Sequence, residues 1–182
     1  MLLFEKLKVG DTVNGKYKPG DVVVYRREVC RVTKIAKSDF TKEKCYILEP
    51  YRGNDQSVRM QVPIANKGGH LRDLSTKEDI DALIRNVPDI EMLENKPANM
   101  KSQYAALMNG DALEDLIRII KTSYMRNQQR LSNHKKLASI DDEYLQKAER
   151  YLYEEIGVAL GMDFDESKAY FESEVRKVRE NS

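Results

Sequence analysis

The sequence has no tryptophan and only two histidines and two cysteines among its 182 residues. Neither histidine, His70 or His134, has a carboxylate or cysteine partner at metal-ligand spacing, so no metal site is predicted. Cys30 and Cys45 lack CxxC spacing, which favours buried thiols in a reducing compartment over a disulfide. We therefore expect no metal and no cofactor.

Long apolar runs are also absent, so no segment is expected to cross a membrane. The N-terminal residues Met1 to Glu5 are too short and too soon acidic for a signal peptide, and a cytoplasmic protein is predicted. The chain carries no P-loop, GxGxxG, GxSxG or HExxH motif. We expect neither enzyme activity nor a small-molecule substrate.

The net charge is only +1, although 34% of the residues are charged and 41% are hydrophobic. This composition describes a polar globular protein with room for one or two domains. A chain with so little net charge is not a strong polyanion binder as a whole. Any contact with nucleic acid must therefore come from a local patch.

The first part of the chain, residues 1–68, is predicted to be a β domain. Short strands are expected over residues 22–25, 29–37, 44–50 and 57–62. The first follows a Lys18-Pro19-Gly20-Asp21 turn signal. In the fourth, Val58 alternates with polar Arg59 and Gln61, so a polar face is predicted outward. Close spacing without helices predicts a small, strongly bent antiparallel barrel.

The second part, residues 69–182, is predicted to be a bundle of about five helices, which makes the fold class α+β. Its central helix, over residues 111–130, carries apolar side chains at helical spacing. Residues 66–72 are predicted to be a connector, residues 89–97 an extended linker, and Gly161 a helix end. The predicted capping pairs are Ser75 with Glu78, Asp111 with Glu114, Ser139 with Asp142, and Asp163 with Glu166. The predicted inward face of the central helix is Leu113, Leu116, Ile117, Ile120 and Tyr124.

Basic residues outnumber acidic ones in the middle of this helical part, whereas the C-terminal part is far more acidic. Such segregation favours contact with a polyanion, although a solvated helix face that complements the helix dipole explains the same charges. Lysine and arginine on phosphates give affinity without reading sequence. The predicted DNA-binding residues are Lys96, Lys101, Arg118, Lys121, Arg126 and Arg130, and Lys135 and Lys136 extend the basic band.

From about Tyr17 to Gly161, the order of these features resembles the CarD/CdnL family of bacterial transcription regulators, in particular its clostridial-type members. The similarity is fairly specific because several motifs occur in one order, not because one motif is diagnostic. The segments that carry it are residues 17–25, 29–32, 45–48, 58–63, 70–75, 109–111, 116–124 and 148–161.

The resemblance implies a Tudor-like N-terminal domain that binds the β-subunit lobe of bacterial RNA polymerase. It implies that the helical domain contacts promoter DNA at the upstream edge of the transcription bubble, without enzyme activity. The family's polymerase contacts map onto Val58, Arg59, Met60 and Gln61, where Arg59 stands in for a family arginine near Gln61. An ordinary solvated strand face is the alternative for each of these residues.

Two departures from the family pattern bear on this prediction. Glu28 stands where many members have glycine, so the local turn is expected to differ. The family also inserts a tryptophan into the minor groove, and this chain has none. Met92, Leu93 and Met100 are candidate wedges, since leucine and methionine can take that role. Each is otherwise a core or linker residue, and without a wedge only phosphate contacts remain.

Two other functional classes stay open from the sequence. The β part could be a free-standing Tudor-like interaction module that reads a modified side chain through an aromatic cage. An autonomous DNA-binding regulator is the third class, and near-neutral charge argues against it. The rings available for a cage are Tyr17, Tyr25, Phe40, Tyr46 and Tyr51, whose positions in or beside strands favour core packing.

Overall fold

The computed structural model describes residues 15–53 and 58–182, and within them five strands form one antiparallel sheet. The strand order is β4-β3-β2-β1-β5. Residues 1–14 and the start of the predicted fourth strand, including Ser57, lie outside the described residues. The strands are β1 (Val22–Tyr25), β2 (Glu28–Lys37), β3 (Lys44–Pro50), β4 (Met60–Pro63) and β5 (Leu71–Asp73).

The first four strands were predicted, but β5 was not. Residues 71–73 pair with β1, so the sheet continues past the predicted domain boundary at residue 68 into the segment predicted to be a connector. Three residues after a glycine-containing turn give too short a pattern to indicate a strand. Within the described residues β4 and β5 do not pair, and the sheet is open, with these two strands at its edges.

The turn between β1 and β2 consists of two arginines. Tyr25 pairs with Glu28, so only Arg26 and Arg27 connect the strands. Both have positive φ, 46° and 74°, as a two-residue hairpin turn matched to the strand twist requires. Glycine or asparagine is usual there, and side chains at such positions cost conformational energy.

Five α-helices follow the sheet. They are α1 (Lys77–Asn86), α2 (Met100–Met108), α3 (Leu113–Ser132), α4 (Ser139–Leu160) and α5 (Phe164–Glu180), with short 3-10 turns at Val87–Asp89 and Pro97–Asn99. Between these two turns the chain has no regular secondary structure, as expected for the predicted linker. No helix in the described part of the chain is long and apolar enough to cross a bilayer.

The predicted helix ends are partly right. The capping box of Asp163 with Glu166 is confirmed, and Gly161 ends α4 with φ 71°. The predicted Ser75 cap is wrong by one residue, because Thr76 with Asp79 forms the box. The caps predicted at Asp111 and Ser139 are wrong, since Ala112 and Ala138 occupy those positions without a side-chain cap.

The sheet and the helices each have a hydrophobic core. Tyr46, Leu48 and Val23 lie at the centre of the sheet's core, and Cys30 and Cys45 are buried free thiols. Burial raises the pKa of the Cys30 thiol to about 12. The helical core holds the predicted apolar residues of α3 except Tyr124, whose predicted inward position is wrong because its side chain is 56% exposed.

Three arginines of the sheet region join it to the helices. Arg27, 3% exposed, donates from Nη2 to the Leu107 carbonyl at 2.8 Å and from Nη1 to the Ala112 carbonyl at 2.9 Å. Leu107 lies in the last turn of α2, where carbonyls lack helical partners, and Ala112 directly precedes α3, so Arg27 joins the sheet to both helices. Arg52 donates to the Met162 carbonyl at 2.6 Å.

The third link is a buried ion pair between β5 and α4. Arg72 donates from both terminal nitrogens to the Glu155 carboxylate, at 2.7 and 2.8 Å, and the Ser75 hydroxyl donates to it at 2.7 Å. Glu155 is 1% exposed, so this carboxylate depends on its partners for solvation. Burial lowers the Arg72 pKa, but the Glu155 carboxylate outweighs it, and the net pKa is raised.

Candidate functional site

The irregular segment of residues 90–96 lies along α3 and is held there by polar side chains of that helix. Arg118 donates from Nε to the Glu91 carbonyl at 3.1 Å. Lys121 donates to the Ile90 carbonyl at 2.7 Å and also to the Val87 carbonyl. Burial and the nearby Arg179 lower the pKa of Lys121. Both cations belong to the predicted DNA-binding set, and both have an internal structural role.

Two further contacts of α3 complete this attachment. The Thr122 hydroxyl accepts the Leu93 amide at 2.9 Å, and Arg126 donates to the side-chain oxygen of Asn95. A segment without regular structure must find partners for its backbone groups, since buried unpaired ones are costly. The polar side chains of α3 provide those partners, and α3 therefore positions the segment that contains the candidate wedges.

Of the predicted DNA-binding residues, Arg126 has the most buried ion-pair partner. Its Nε donates to both oxygens of Asp141, at 3.0 and 3.1 Å, and its side chain is only 11% exposed. The Asp141 carboxylate is fully buried and also accepts the Tyr104 hydroxyl at 2.7 Å. Burial and this hydrogen bond raise the pKa of Tyr104. These contacts account for the position of Arg126 without a ligand, and the Asp141 carboxylate neutralises the charge of the Arg126 side chain within the protein.

The remaining predicted DNA-binding residues lie on the surface. Lys101 is exposed, Lys96 pairs with Glu94 at 2.8 Å, and half-buried Arg130 donates to the Lys136 carbonyl at 3.4 Å. Tyr104 of α2 and Arg126 of α3 meet at Asp141. Lys101 lies one turn before Tyr104 and Arg130 one turn after Arg126, so both cations lie at the same end of the bundle.

The segment from the middle of α3 to the start of α4, which reaches this end of the bundle, carries charge of one sign. Residues 116–140 contain six lysines and arginines and no aspartate or glutamate, whereas residues 141–182 contain twelve acidic and six basic residues. Arg118, Lys121 and Arg126 have partners inside the protein, so they are set aside. The cations left at this end are Lys101, Arg130, Lys135 and Lys136, which we call the basic end.

The three candidate wedges have different environments. Met100 is 1% exposed in the helical core, so the prediction of a wedge at this position is wrong: a side chain that fills the core cannot enter a DNA groove. Leu93 is partly buried against the same core. Met92 is 48% exposed, and it is the one of the three that the structure leaves free for a contact.

The predicted polymerase-binding residues lie on or beside β4, an edge strand. Gln61 is exposed, whereas Met60 is partly buried against the sheet core. Arg59 is exposed and pairs with Glu49 at 3.3 Å. The prediction that Val58 points inward with Met60 is wrong, because Val58 precedes β4 and is 45% exposed. The strand therefore presents polar side chains and an unpaired backbone edge.

The aromatic residues considered for a cage do not converge. Tyr46 is buried in the sheet core and packs edge-to-face on Tyr17, with ring centroids 5.6 Å apart. Phe40 is 91% exposed, and within residues 15–53 and 58–182 neither it nor Tyr25 or Tyr51 contacts another of these rings. A cage needs several rings around one cation, and only one pair of rings meets.

The described residues also contain no group of three or more histidine, cysteine, aspartate or glutamate side chains that could hold a metal ion. Neither a scan against protein-family models nor a search of curated proteins finds a match to this sequence. The family resemblance therefore rests on the order of the motifs alone.

Sequence reasoning missed the residues that join the two parts. Arg27, Arg72 and Glu155 become partners only in the fold, because more than seventy positions separate each arginine from its acceptors. Two arginines between a β-branched strand and the next strand were the one local signal, since such a turn usually contains glycine or asparagine.

Proposed function

We propose that the protein is a transcription regulator of the CarD/CdnL kind. In this proposal a Tudor-like sheet module binds the β-subunit lobe of bacterial RNA polymerase. The helical part contacts promoter DNA at the upstream fork and modulates the stability of the open complex. The observation that carries the proposal is the basic end, a group of surface cations on and beside residues 116–140, a segment that contains no aspartate or glutamate.

The polymerase contact is assigned to β4. An edge strand offers unpaired backbone groups to which another chain can add, and alternate side chains provide specificity. Gln61 is exposed on this strand and Arg59 just before it, so both are available without disturbing the core. Val58 adds an exposed apolar contact next to them.

The DNA contact is assigned to Lys101, Arg130, Lys135 and Lys136, with Lys96 beside them. These cations bind phosphates, which supplies salt-dependent affinity and position but no sequence preference. Met92 is the proposed wedge, held at the surface by the attachment of its segment to α3. Lys121 and Arg126 act indirectly, by holding that segment in place.

The junction lets one contact strengthen the other. Arg27 and the Arg72–Glu155 pair join the sheet to the helices, so binding of polymerase would place the basic end near the promoter at high effective concentration. Only stronger binding to the opened fork than to closed duplex shifts the equilibrium toward the open complex. A difference of about 1.4 kcal/mol changes the ratio about tenfold.

The test separates the two contacts in the full-length protein. Arg59→Glu/Gln61→Glu should abolish co-purification with RNA polymerase and leave binding to a forked promoter fragment unchanged. Lys101→Glu/Arg130→Glu should weaken binding to the forked promoter fragment and leave co-purification with RNA polymerase unchanged. Lys77→Glu on α1, a charge reversal outside both surfaces, should leave both kinds of binding unchanged. Polymerase binding by the β4 variant at wild-type strength would overturn the assignment of β4, and unchanged fork binding by the second variant would overturn that of the basic end.

A further inference from the structure

A groove of about 510 Å3 lies between α3, α4 and α5 and has no role in the proposed function. The helices α3 and α5 both pack on α4, and the groove separates them. Its volume is in the range of small-molecule sites. The apolar lining residues are Val87, Ile117, Ile120, Leu145, Phe171 and Val175.

The rim of the groove carries an excess of positive charge. Lys168 is neutralised by Glu149, with nitrogen and oxygen 3.3 Å apart. Arg176 and Arg179 are exposed and have no hydrogen-bond or ion-pair partner among the described residues. Glu172 is the one further acid that lines the groove. Arg179 lies close enough to Lys121 to lower its pKa, so like charges meet at this end.

The opposite end of the groove contains an unpartnered polar group. Tyr153 is 3% exposed and lines the groove, yet no residue of the described chain hydrogen-bonds to its hydroxyl. The Lys168 ammonium lies 5.9 Å from its ring centroid. Burial, with Glu149 and Glu172 nearby, raises the Tyr153 pKa, so the hydroxyl keeps its proton and can donate. The hydroxyl itself opens onto the groove, where an oxygen of a bound molecule can accept its proton.

The two ends are far enough apart for a chain-like molecule. Lys168, beside Tyr153, and Arg179, beside Lys121, are eleven residues apart on α5, which is about 16 Å at the helical rise. Apolar residues of all three helices line the groove between these ends. Positive charge, apolar wall and hydrogen-bond donor therefore follow one another along the groove.

We propose that this groove binds an elongated anionic amphiphile, a small molecule with an acidic head, an apolar chain and an acceptor oxygen near the far end. The head lies at Arg176 and Arg179, the chain packs on Ile120 and Val175, and the far oxygen accepts the Tyr153 hydroxyl. The inference does not depend on the proposed function, because its test involves neither polymerase nor DNA.

The first experiment tests the head. Titration calorimetry with dodecanoate, below its micelle concentration, should show saturable 1:1 binding to the full-length protein. The cation dodecyltrimethylammonium should bind roughly tenfold more weakly, because two arginines repel it. Arg176→Glu/Arg179→Glu should weaken dodecanoate binding by about tenfold. Lys177→Glu, an exposed reversal on the same helix outside the groove, should leave it unchanged.

The second experiment tests the far end. In the wild type, 12-hydroxydodecanoate should bind about fivefold more tightly than dodecanoate, because its terminal oxygen accepts one hydrogen bond. In Tyr153→Phe the two probes should bind equally. This variant should fold with unchanged stability near neutral pH, because the hydroxyl that it removes has no partner in the unliganded protein.

Any of three results overturns the proposal. The first is no saturable binding of dodecanoate at about millimolar concentration, the weak limit for a specific site. The second is wild-type affinity for dodecanoate in the arginine reversal, with a normal circular dichroism spectrum. The third is a preference for the hydroxylated probe that persists in Tyr153→Phe, which would place the donor elsewhere.

Discussion

The β4 edge was predicted as a contact surface from the family resemblance and the basic face of α3 from its charge, and the two surfaces differ in how many of their side chains are free for a partner. On and beside β4, Gln61 and Arg59 are exposed, and Arg59 forms a surface ion pair with Glu49. On α3, Arg118, Lys121 and Arg126 all bind acceptors inside the protein. A cationic residue in the sequence is therefore not always a cation that a binding partner can reach.

The difference follows from the neighbours of each surface. On the side of β4 that faces β3, the backbone groups are paired in a regular ladder and need no donors from Arg59 or Gln61. The helix α3 lies against an irregular segment whose carbonyls need donors. Long cationic side chains supply those donors, so half of the predicted DNA-binding set became structural.

The sharpest way to break this comparison is to remove Arg126. Arg126→Ala leaves the Asp141 carboxylate buried without its cation, which should lower the free energy of unfolding by about 3–5 kcal/mol. Arg59→Ala, at the β4 edge, should change it by less than about 0.5 kcal/mol. Urea denaturation followed by circular dichroism measures both. Equal effects would mean that Arg126 is a surface cation after all.

Breaking the Arg72–Glu155 pair between the sheet and the helices should lower the free energy of unfolding by a smaller amount. Arg72→Ala removes two hydrogen bonds to buried Glu155, and we expect a loss of about 2–3 kcal/mol, because Ser75 still donates and the arginine is partly exposed. Arg72→Met/Glu155→Leu should recover much of that loss, since it removes the buried charge together with its partner. A double variant less stable than Arg72→Ala would contradict a simple buried pair.

Alkaline pH should weaken the helical part through its two buried tyrosines, in addition to the loss from the buried Cys30 thiol of the sheet, whose pKa is also raised. The pKa values of Tyr104 and Tyr153 are raised in the folded protein, so the unfolded chain loses these protons first and stability falls as pH rises past about 10. Between pH 8.5 and 10.5 the two tyrosines should cost about 1–2 kcal/mol together.

Urea denaturation at both pH values, with Tyr153→Phe as the comparison, checks this dependence. The variant should lose about 0.8 kcal/mol less than the wild type over this interval, because one phenol no longer ionises on unfolding. A wild-type stability that is flat or rises toward pH 10.5 would show that these phenols ionise as readily in the folded state.

The basic end should affect DNA binding with almost no effect on stability. Lys101→Gln and Arg130→Gln should each reduce the slope of log affinity against log salt by about 1, if each cation contacts a phosphate. The free energy of unfolding should change by less than about 0.5 kcal/mol in either variant. Fluorescence anisotropy with a forked DNA fragment measures the slope, and an unaltered slope would remove that residue from the interface.

Much of the fold could be predicted because its signals are local. The strand 22–25 follows from a β-branched run after a turn, the strand 44–50 from a short apolar run before a turn, and the Asp163–Glu166 box from two residues three apart. The strand β5 could not be predicted, because its three residues are held by pairing with β1.

The candidate site was less predictable, for a physical reason. Periodicity identified Arg126 and Lys121 as cations on the polar face of a helix, but not the acceptors that would lie against that face. Asp141 is fifteen positions from Arg126, and Val87 is thirty-four from Lys121. Met100 shows the same limit, since only the fold reveals that it fills the core.

The most direct test of the proposed bridge is the lifetime of an open promoter complex formed by bacterial RNA polymerase on a promoter that opens poorly. The wild-type protein should lengthen this lifetime. Arg59→Glu/Gln61→Glu, Lys101→Glu/Arg130→Glu and Met92→Ala should each shorten it toward the value without the protein. A lifetime unchanged by the wild-type protein, although it binds polymerase, would contradict the bridge and leave a polymerase-binding module without a DNA role.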